Sequence, residues 1–212
     1  MTGAMAMPAD PLGAPALIAA FVMWALMMVA MMLPSALPMI LTHARLSRGA
    51  VPAGLFALCY VAVWTAASLV AALAQQSLVA RGALGPMTLA LGDRRIAGAL
   101  LIAAGLYQLT PLKRRCLDNC RSPLAFLMRG WRPGIAGTLR LGLSHGLYCL
   151  GCCWLLMALL FAGGVMNLAW VALLAGIVLI EKVAPRGVPV AQAVGGLAIA
   201  AGVALIAGLG AV

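Results

Sequence analysis

Charge is what this chain has least of. Only 8% of its 212 residues are Asp, Glu, Lys or Arg, and four of them are acidic. A water-soluble domain carries about a quarter charged residues, so a soluble globular fold is excluded. The apolar segments run without the alternating polarity of a transmembrane β-barrel, which excludes that class too. No basic residue stands in the first 15 positions, where a secretory signal needs a positive region. The first apolar stretch therefore reads as a retained helix. No Ser-His-Asp arrangement, Walker sequence or phosphate-cradling glycine loop appears, so an ATP-driven pump acting alone is excluded. A basic groove interleaved with aromatics, as single-strand binders need, is also missing, and nucleic acid is not an expected partner.

What is present is apolar length. Hydrophobic residues make up 65% of the chain, and the mean hydropathy is +1.11. A bilayer core takes ~20 apolar residues per helix, and backbone groups there must be satisfied internally. The expectation is an all-α, polytopic membrane helix bundle forming a single integral membrane domain over residues 1–212. About six transmembrane helices are expected, at roughly 16–33, 51–75, 96–110, 141–161, 166–180 and 188–209. Pro34 and Pro38 should stop or kink the first. Residues 76–95, with Gly82, Gly85, Pro86 and Gly92, read as a loop carrying a short re-entrant or surface piece.

The few charges set an orientation. Arg45, Arg48, Lys113, Arg114, Arg115, Arg121, Arg129, Arg132, Lys182 and Arg186 fall on one side, with Arg140 at its edge. The other side has Arg81, Arg94 and Arg95. The positive-inside rule puts the richer side, with loop 113–136, in the cytoplasm of a bacterial inner membrane, and both termini outside. Within that loop Ser122-Pro123 through Gly130-Trp131 reads as a short helix on the inner leaflet. Glu181 and Lys182 read as a boundary ion pair or as snorkelling residues. His43 reads as interfacial.

Sulfur carries the chemistry. His145, Cys149 and Cys152 are spaced i, i+4 and i+7, so they share one helix stripe, with Cys153 beside it. Imidazole and thiol ligands suit Cu(I) or, as runner-up, Zn²⁺ far better than hard cations. Free cysteine is also a common filler of buried interfaces. In the first helix Met23, Met27 and Met31 form one i, i+4, i+8 stripe, and Met28 with Met32 forms a second. Thioethers bind Cu(I) without losing a proton and largely ignore Mg²⁺ and Zn²⁺. Cys116-x₃-Cys120 is a second candidate, either a metal pair or a dithiol that cycles with its disulfide. Its basic neighbours should favour thiolate character. No Met-rich or His-rich tail gathers ions; Met1, Met5 and Met7 alone precede the first helix.

Several blocks together carry a resemblance. They are Met23-Trp24-x₂-Met27-Met28-x₂-Met31-Met32-x-Pro34-Ser35, Tyr107-Gln108-Leu109-Thr110-Pro111-Leu112-Lys113-x₂-Cys116-x₃-Cys120-Arg121, and Gly146-x₂-Cys149-x-Gly151-Cys152-Cys153-Trp154-x₂-Met157. Gly164-Val165-Met166-Asn167 and Glu181-Lys182 complete them. The chain resembles a bacterial family described as predicted metal-binding integral membrane proteins, sometimes labelled copper chaperones. The resemblance implies a membrane fold and metal binding, and no established reaction.

Two function classes follow, and a third needs none of these ligands. The first is Cu(I) handling, by transfer or by insertion into a partner: a metal-donating or metal-receiving membrane or periplasmic protein. The second is a membrane thiol oxidoreductase in which Cys149-x₂-Cys152 exchanges electrons with Cys116-x₃-Cys120. The third is a structural subunit of a larger membrane complex. Catalysis on a substrate is not the expectation.

The topology is testable by cysteine labelling in sealed cells. Reagents should reach Cys116 and Cys120, or cysteines introduced near them, from the cytoplasmic side alone, and a tag on the N-terminus should be accessible from outside. Labelling of loop 113–136 from outside would overturn the charge argument.

Overall fold

The computed structural model of the chain describes residues 13–47, 49–85 and 87–209. Met1, Met5, Met7, Arg48 and Pro86, named above, lie outside the described residues. The described chain is all-α, with helices α1 (Ala14–Ser47), α2 (Ala50–Ala80), α3 (Arg94–Gln108), α4 (Pro111–Arg121), α5 (Pro123–Gly130), α6 (Gly134–Ala158), α7 (Leu160–Gly163), α8 (Leu168–Val183) and α9 (Gly187–Ile206).

Four helices, α1, α2, α6 extended by α7, and α9, are long and apolar enough to cross a membrane. With 15 and 16 residues, α3 and α8 are shorter than the ~20 residues a full crossing takes. α3 and α4 together make a bent pair, turned by 65°, that would raise the number to five. All six expected segments are helical, but their lengths are unequal. At 1.5 Å per residue α1 runs roughly 50 Å, whereas α3 and α8 run roughly 23 Å. The ends of α3 and α8 therefore meet α6 partway along it, and the functional residues gather there.

Local chemistry explains the boundaries. Asp93 opens α3, its carboxylate accepting the Arg95 N–H at 2.7 Å. Thr110 opens α4 by accepting the Lys113 N–H, with Pro111 at the first helical position. Asn167 does the same for α8 through the Trp170 N–H. Three boundaries differ from expectation. α1 continues through Pro34 and Pro38 to Ser47 instead of ending near residue 33. A proline removes a single intrahelical hydrogen bond, and a long helix packed against its neighbours can carry that loss. Close to Pro34 the hydroxyls of Ser35 and Tyr60 both donate to the carbonyl of Met32. Loop 113–136 is mostly helix, α4 and α5, and α6 starts at Gly134. Within the expected loop 76–95, α2 runs on to Ala80, and the remainder is a short turn closed by a Leu84–Leu91 bridge. It is pinned to the α7–α8 region, where Leu91 N–H donates to Phe161 and Met166 N–H to Thr88.

Small residues let the helices close up. Gly142 and Gly146 of α6 face α2, where a β-carbon on Gly142 would stand 2.6 Å from the Phe56 carbonyl oxygen. Gly98 and Gly105 of α3 face Gly202 and Gly195 of α9 in the same way. Between apolar helices in an apolar solvent, such close approach replaces the hydrophobic drive that water would supply.

The glycine seam predicts a contrast. Gly105→Val would place atoms against the Gly195 carbonyl oxygen and the Ile199 side chain, both 2.6 Å from its β-carbon. It should cost about 1–3 kcal/mol, read as a lowered unfolding midpoint in detergent. Gly196→Val, on the partner helix α9 with nothing within 4 Å, should leave the midpoint almost unchanged.

Candidate metal centre

The expected ligands sit in the middle of α6, walled by four other helices. α2 packs along one side of α6 and α4 along another, with α8 also in contact. α1 adds Met32 and Ser35, and α2 adds Tyr60. Cys149, Cys152 and Cys153 are each 1% exposed, so the helical spacing does bury them together. The thiols of Cys152 and Cys153 both donate to the Cys149 carbonyl, at 3.1 and 3.0 Å. The sulfur of Cys153 also stands 3.9 Å from that of Met32.

The second pair joins the first. Cys120 of α4 lies against Cys149 and Cys152, and Cys116 faces the backbone of α6 at Gly151. Both are buried at 9% exposure, where an aqueous loop had been expected. The expected thiolate-favouring cations attend to other partners. Lys113 reaches Glu181, Arg121 reaches the carbonyls of Ala184 and Pro185, and Arg114 and Arg115 are exposed.

His145 takes a different role from its stripe-mates. Its ring stacks on Phe56 and Tyr60 and meets Phe126 edge-on, with centroids 5.4–5.8 Å away. Neither ring nitrogen has a hydrogen-bond partner. His43, expected at an interface, is buried on the far side of Phe56 and stacks against it.

The methionines divide by face. Met28, Met31 and Met32 are buried, and Met23 and Met27 are half-buried. The shorter stripe, Met28 and Met32, is the one turned to the cysteines. Met28 shares an apolar cavity of about 630 Å³ with Met157, one helical turn from Cys153. Met157 was part of the motif pattern without being singled out as a ligand.

The site's electrostatics come from residues read as peripheral. Glu181 and Lys182 are 1% and 7% exposed. Glu181 accepts from Lys113 Nζ at 2.6 Å and from Gln108 Nε2 at 2.7 Å. The ammonium of Lys182 donates to Ser35 Oγ at 3.1 Å and to Cys149 Sγ at 2.9 Å. Tyr60 Oη lies 3.1 Å from the same sulfur. The one carboxylate pairs with Lys113, and the second ammonium, that of Lys182, faces the sulfur of Cys149. No sequence signal separates this lysine from a snorkelling one; only its contacts do.

Among the described residues, no group of three or more His, Cys, Asp or Glu is arranged to hold a metal ion. The thiols stand close together with two of them turned to a backbone carbonyl.

A family model described as PpoB2, copper chaperone, matches residues 21–205. No curated protein and no solved structure matches the chain. The match covers most of the sequence, and the chain belongs to this family.

The charge set predicts an asymmetry between variants. Glu181→Gln should leave Lys113 buried without its anion and cost about 3–5 kcal/mol. The double variant Lys113→Met with Glu181→Gln should recover much of that loss, as measured by unfolding in detergent.

Proposed function

We propose that the chain is a Cu(I)-handling membrane protein that binds the ion at Cys120, Cys149 and Cys152, with Met32 and Cys153 beside them. The observation that carries this reading is a buried sulfur cluster with no carboxylate in it: thiols from α4 and α6, and a thioether from α1. Soft sulfur donors in a dry site favour a soft, singly charged ion. Membership of a family described as copper chaperones supports copper as the cargo.

Lys182 adds a reason for the oxidation state. With Cys149 and Cys152 as thiolates and Cys120 as a neutral thiol, a Cu(I) site carries one net negative charge, and the ammonium beside Cys149 cancels it. Two thiolates around Zn²⁺ are neutral, and the same ammonium would remain an uncompensated charge in an apolar interior, which is costly. Zn²⁺ is accordingly the poorer guest. Met28 and Met157 extend the sulfur path from the cluster along the axis of α1 and α6. That path suits passage of the ion towards a partner at the end where the tilted rings of Trp24 and Phe161 meet.

In this reading the helices lie in a bacterial inner membrane, with both termini outside and the end bearing α4 and α5 in the cytoplasm. The basic residues clustered at that end support the orientation. The thiol oxidoreductase is the second reading. It gains from one observation, the placement of Cys120 against Cys149 and Cys152, which brings the two cysteine pairs together.

Competition with a chromogenic Cu(I) chelator on detergent-purified, reduced protein separates the two. Cys149→Ser with Cys152→Ser should abolish tight Cu(I) binding. Met32→Leu should weaken it about tenfold, ~1.4 kcal/mol, and Met23→Leu with Met27→Leu should weaken it less. Lys182→Met should narrow the preference for Cu(I) over Zn²⁺. Undiminished copper stoichiometry in the double-serine variant would overturn the metal assignment. If that variant shows copper binding to be indifferent to the cysteines, an α4–α6 disulfide forming and reducing reversibly in the native chain would favour the oxidoreductase.

A further inference from the structure

The strongest unclaimed feature lies at the α5 end of the bundle. A cavity of about 320 Å³ opens there between α4, α5 and the first half of α6. Arg129, Arg132 and Arg140 line it with Asn119, Trp131 and Tyr148. Three guanidiniums share this small space, and no carboxylate is among its lining residues. The one ion pair among the described residues, Lys113–Glu181, is elsewhere. Arg129 is held by neutral acceptors only: its Nη2 donates to Asn119 Oδ1 at 2.9 Å and its Nε to the Ala125 carbonyl at 3.2 Å. Those bonds orient the fork without cancelling its charge. Like charges gathered without an anion repel one another, so the cavity is set up to receive one.

The rim says which kind of anion. Leu124 and Met128 stand i, i+4 on α5 and are 59% and 61% exposed, while Phe126 and Leu127 face the core. Ile135, in the first turn of α6, is 65% exposed. Trp131, at the cavity itself, is half-exposed. An apolar ledge beside a cationic pocket with an amphipathic ring at the edge is the arrangement that an interfacial helix presents to lipid. A free phosphate would use the arginines and leave the ledge in water.

We propose that this cavity binds the phosphate headgroup of an anionic phospholipid, with the acyl chains running over Leu124, Met128 and Ile135. The inference rests on the reading that the chain lies in a membrane with this end at the inner leaflet. A lipid bound here would clamp α4 and α5 to α6. Phe126 belongs to both the cavity wall and the aromatic cage of His145, and Asn119 precedes Cys120. Occupancy would therefore steady the two elements that bring Cys120 to Cys149.

The test uses the full chain in nanodiscs of phosphatidylcholine, alone or with phosphatidylglycerol, and reads retained lipid by native mass spectrometry. The native protein should retain phosphatidylglycerol in strong preference. Each of Arg129→Gln, Arg132→Gln and Arg140→Gln should reduce that preference about fivefold, the effect of one basic residue at an anionic surface. Arg94→Gln with Arg95→Gln, at the opposite end, should leave it unchanged and controls for general charge loss. Inorganic phosphate added to lipid-free protein in detergent is the other arm and should not raise the unfolding midpoint. Equal retention of both lipids, a preference that survives the triple glutamine variant, or a midpoint raised as much by phosphate alone would each overturn the proposal. A chain that enters neither disc would instead remove the membrane reading on which it rests.

Discussion

The constraint on which this structure most depends is that charge buried in an apolar interior must be cancelled where it stands. Lys113 of α4 and Glu181 and Lys182 of α8 are all buried, and their contacts bring further helices to the centre. Lys113 ties α4 to α8 through Glu181, and Gln108 ties the end of α3 to the same carboxylate. Lys182 ties α8 to α1 through Ser35 and to α6 through Cys149. Five helices are thus located by one carboxylate, two ammoniums and a sulfur. Removing water makes each of these contacts strong and makes each unpaired partner expensive.

Packing supplies what charge cannot. Lipid tails are as apolar as leucine, so helices gain little by hiding apolar faces from them and must gain by close contact. The glycines of α6 bring α2 near enough for Tyr60 to reach both the Met32 carbonyl and the Cys149 sulfur. The same approach places the His145 ring between Phe56 and Tyr60. Cysteine and methionine suit the space that remains, since cysteine packs as a small apolar residue and methionine fills irregular gaps. The site owes its dryness to the packing and its charge balance to Lys182.

Much of this was legible in the residues alone. Continuous hydrophobicity announces long apolar helices, and all six expected segments are helical. A spacing of i, i+4 and i+7 places Cys149 and Cys152 together because a helix repeats every 3.6 residues, and both are buried side by side. Less legible was which methionine stripe mattered. Both M-x₃-M steps are equally regular, and it is the rotation of α1 against α6 that turns Met28 and Met32 inward. Pro34 and Pro38 read as a stop because their missing N–H groups are a local fact. The packing of α1 along α2, which carries the helix through them, is a tertiary one.

By itself the sequence determined the class of fold, the helical segments and the sulfur stripe on α6, because hydropathy and helical periodicity depend on neighbours within one or two turns. Tertiary structure alone decided that Cys120 of α4 lies against Cys149 and Cys152, and that Lys182 reaches the Cys149 sulfur instead of snorkelling to an interface. Those contacts join residues 29 to 33 positions apart by the bend between α3 and α4 and by the short reach of α8. Nothing in local spacing encodes a bend of that kind. A buried lysine and a snorkelling one are the same residue until the helix beside it is known.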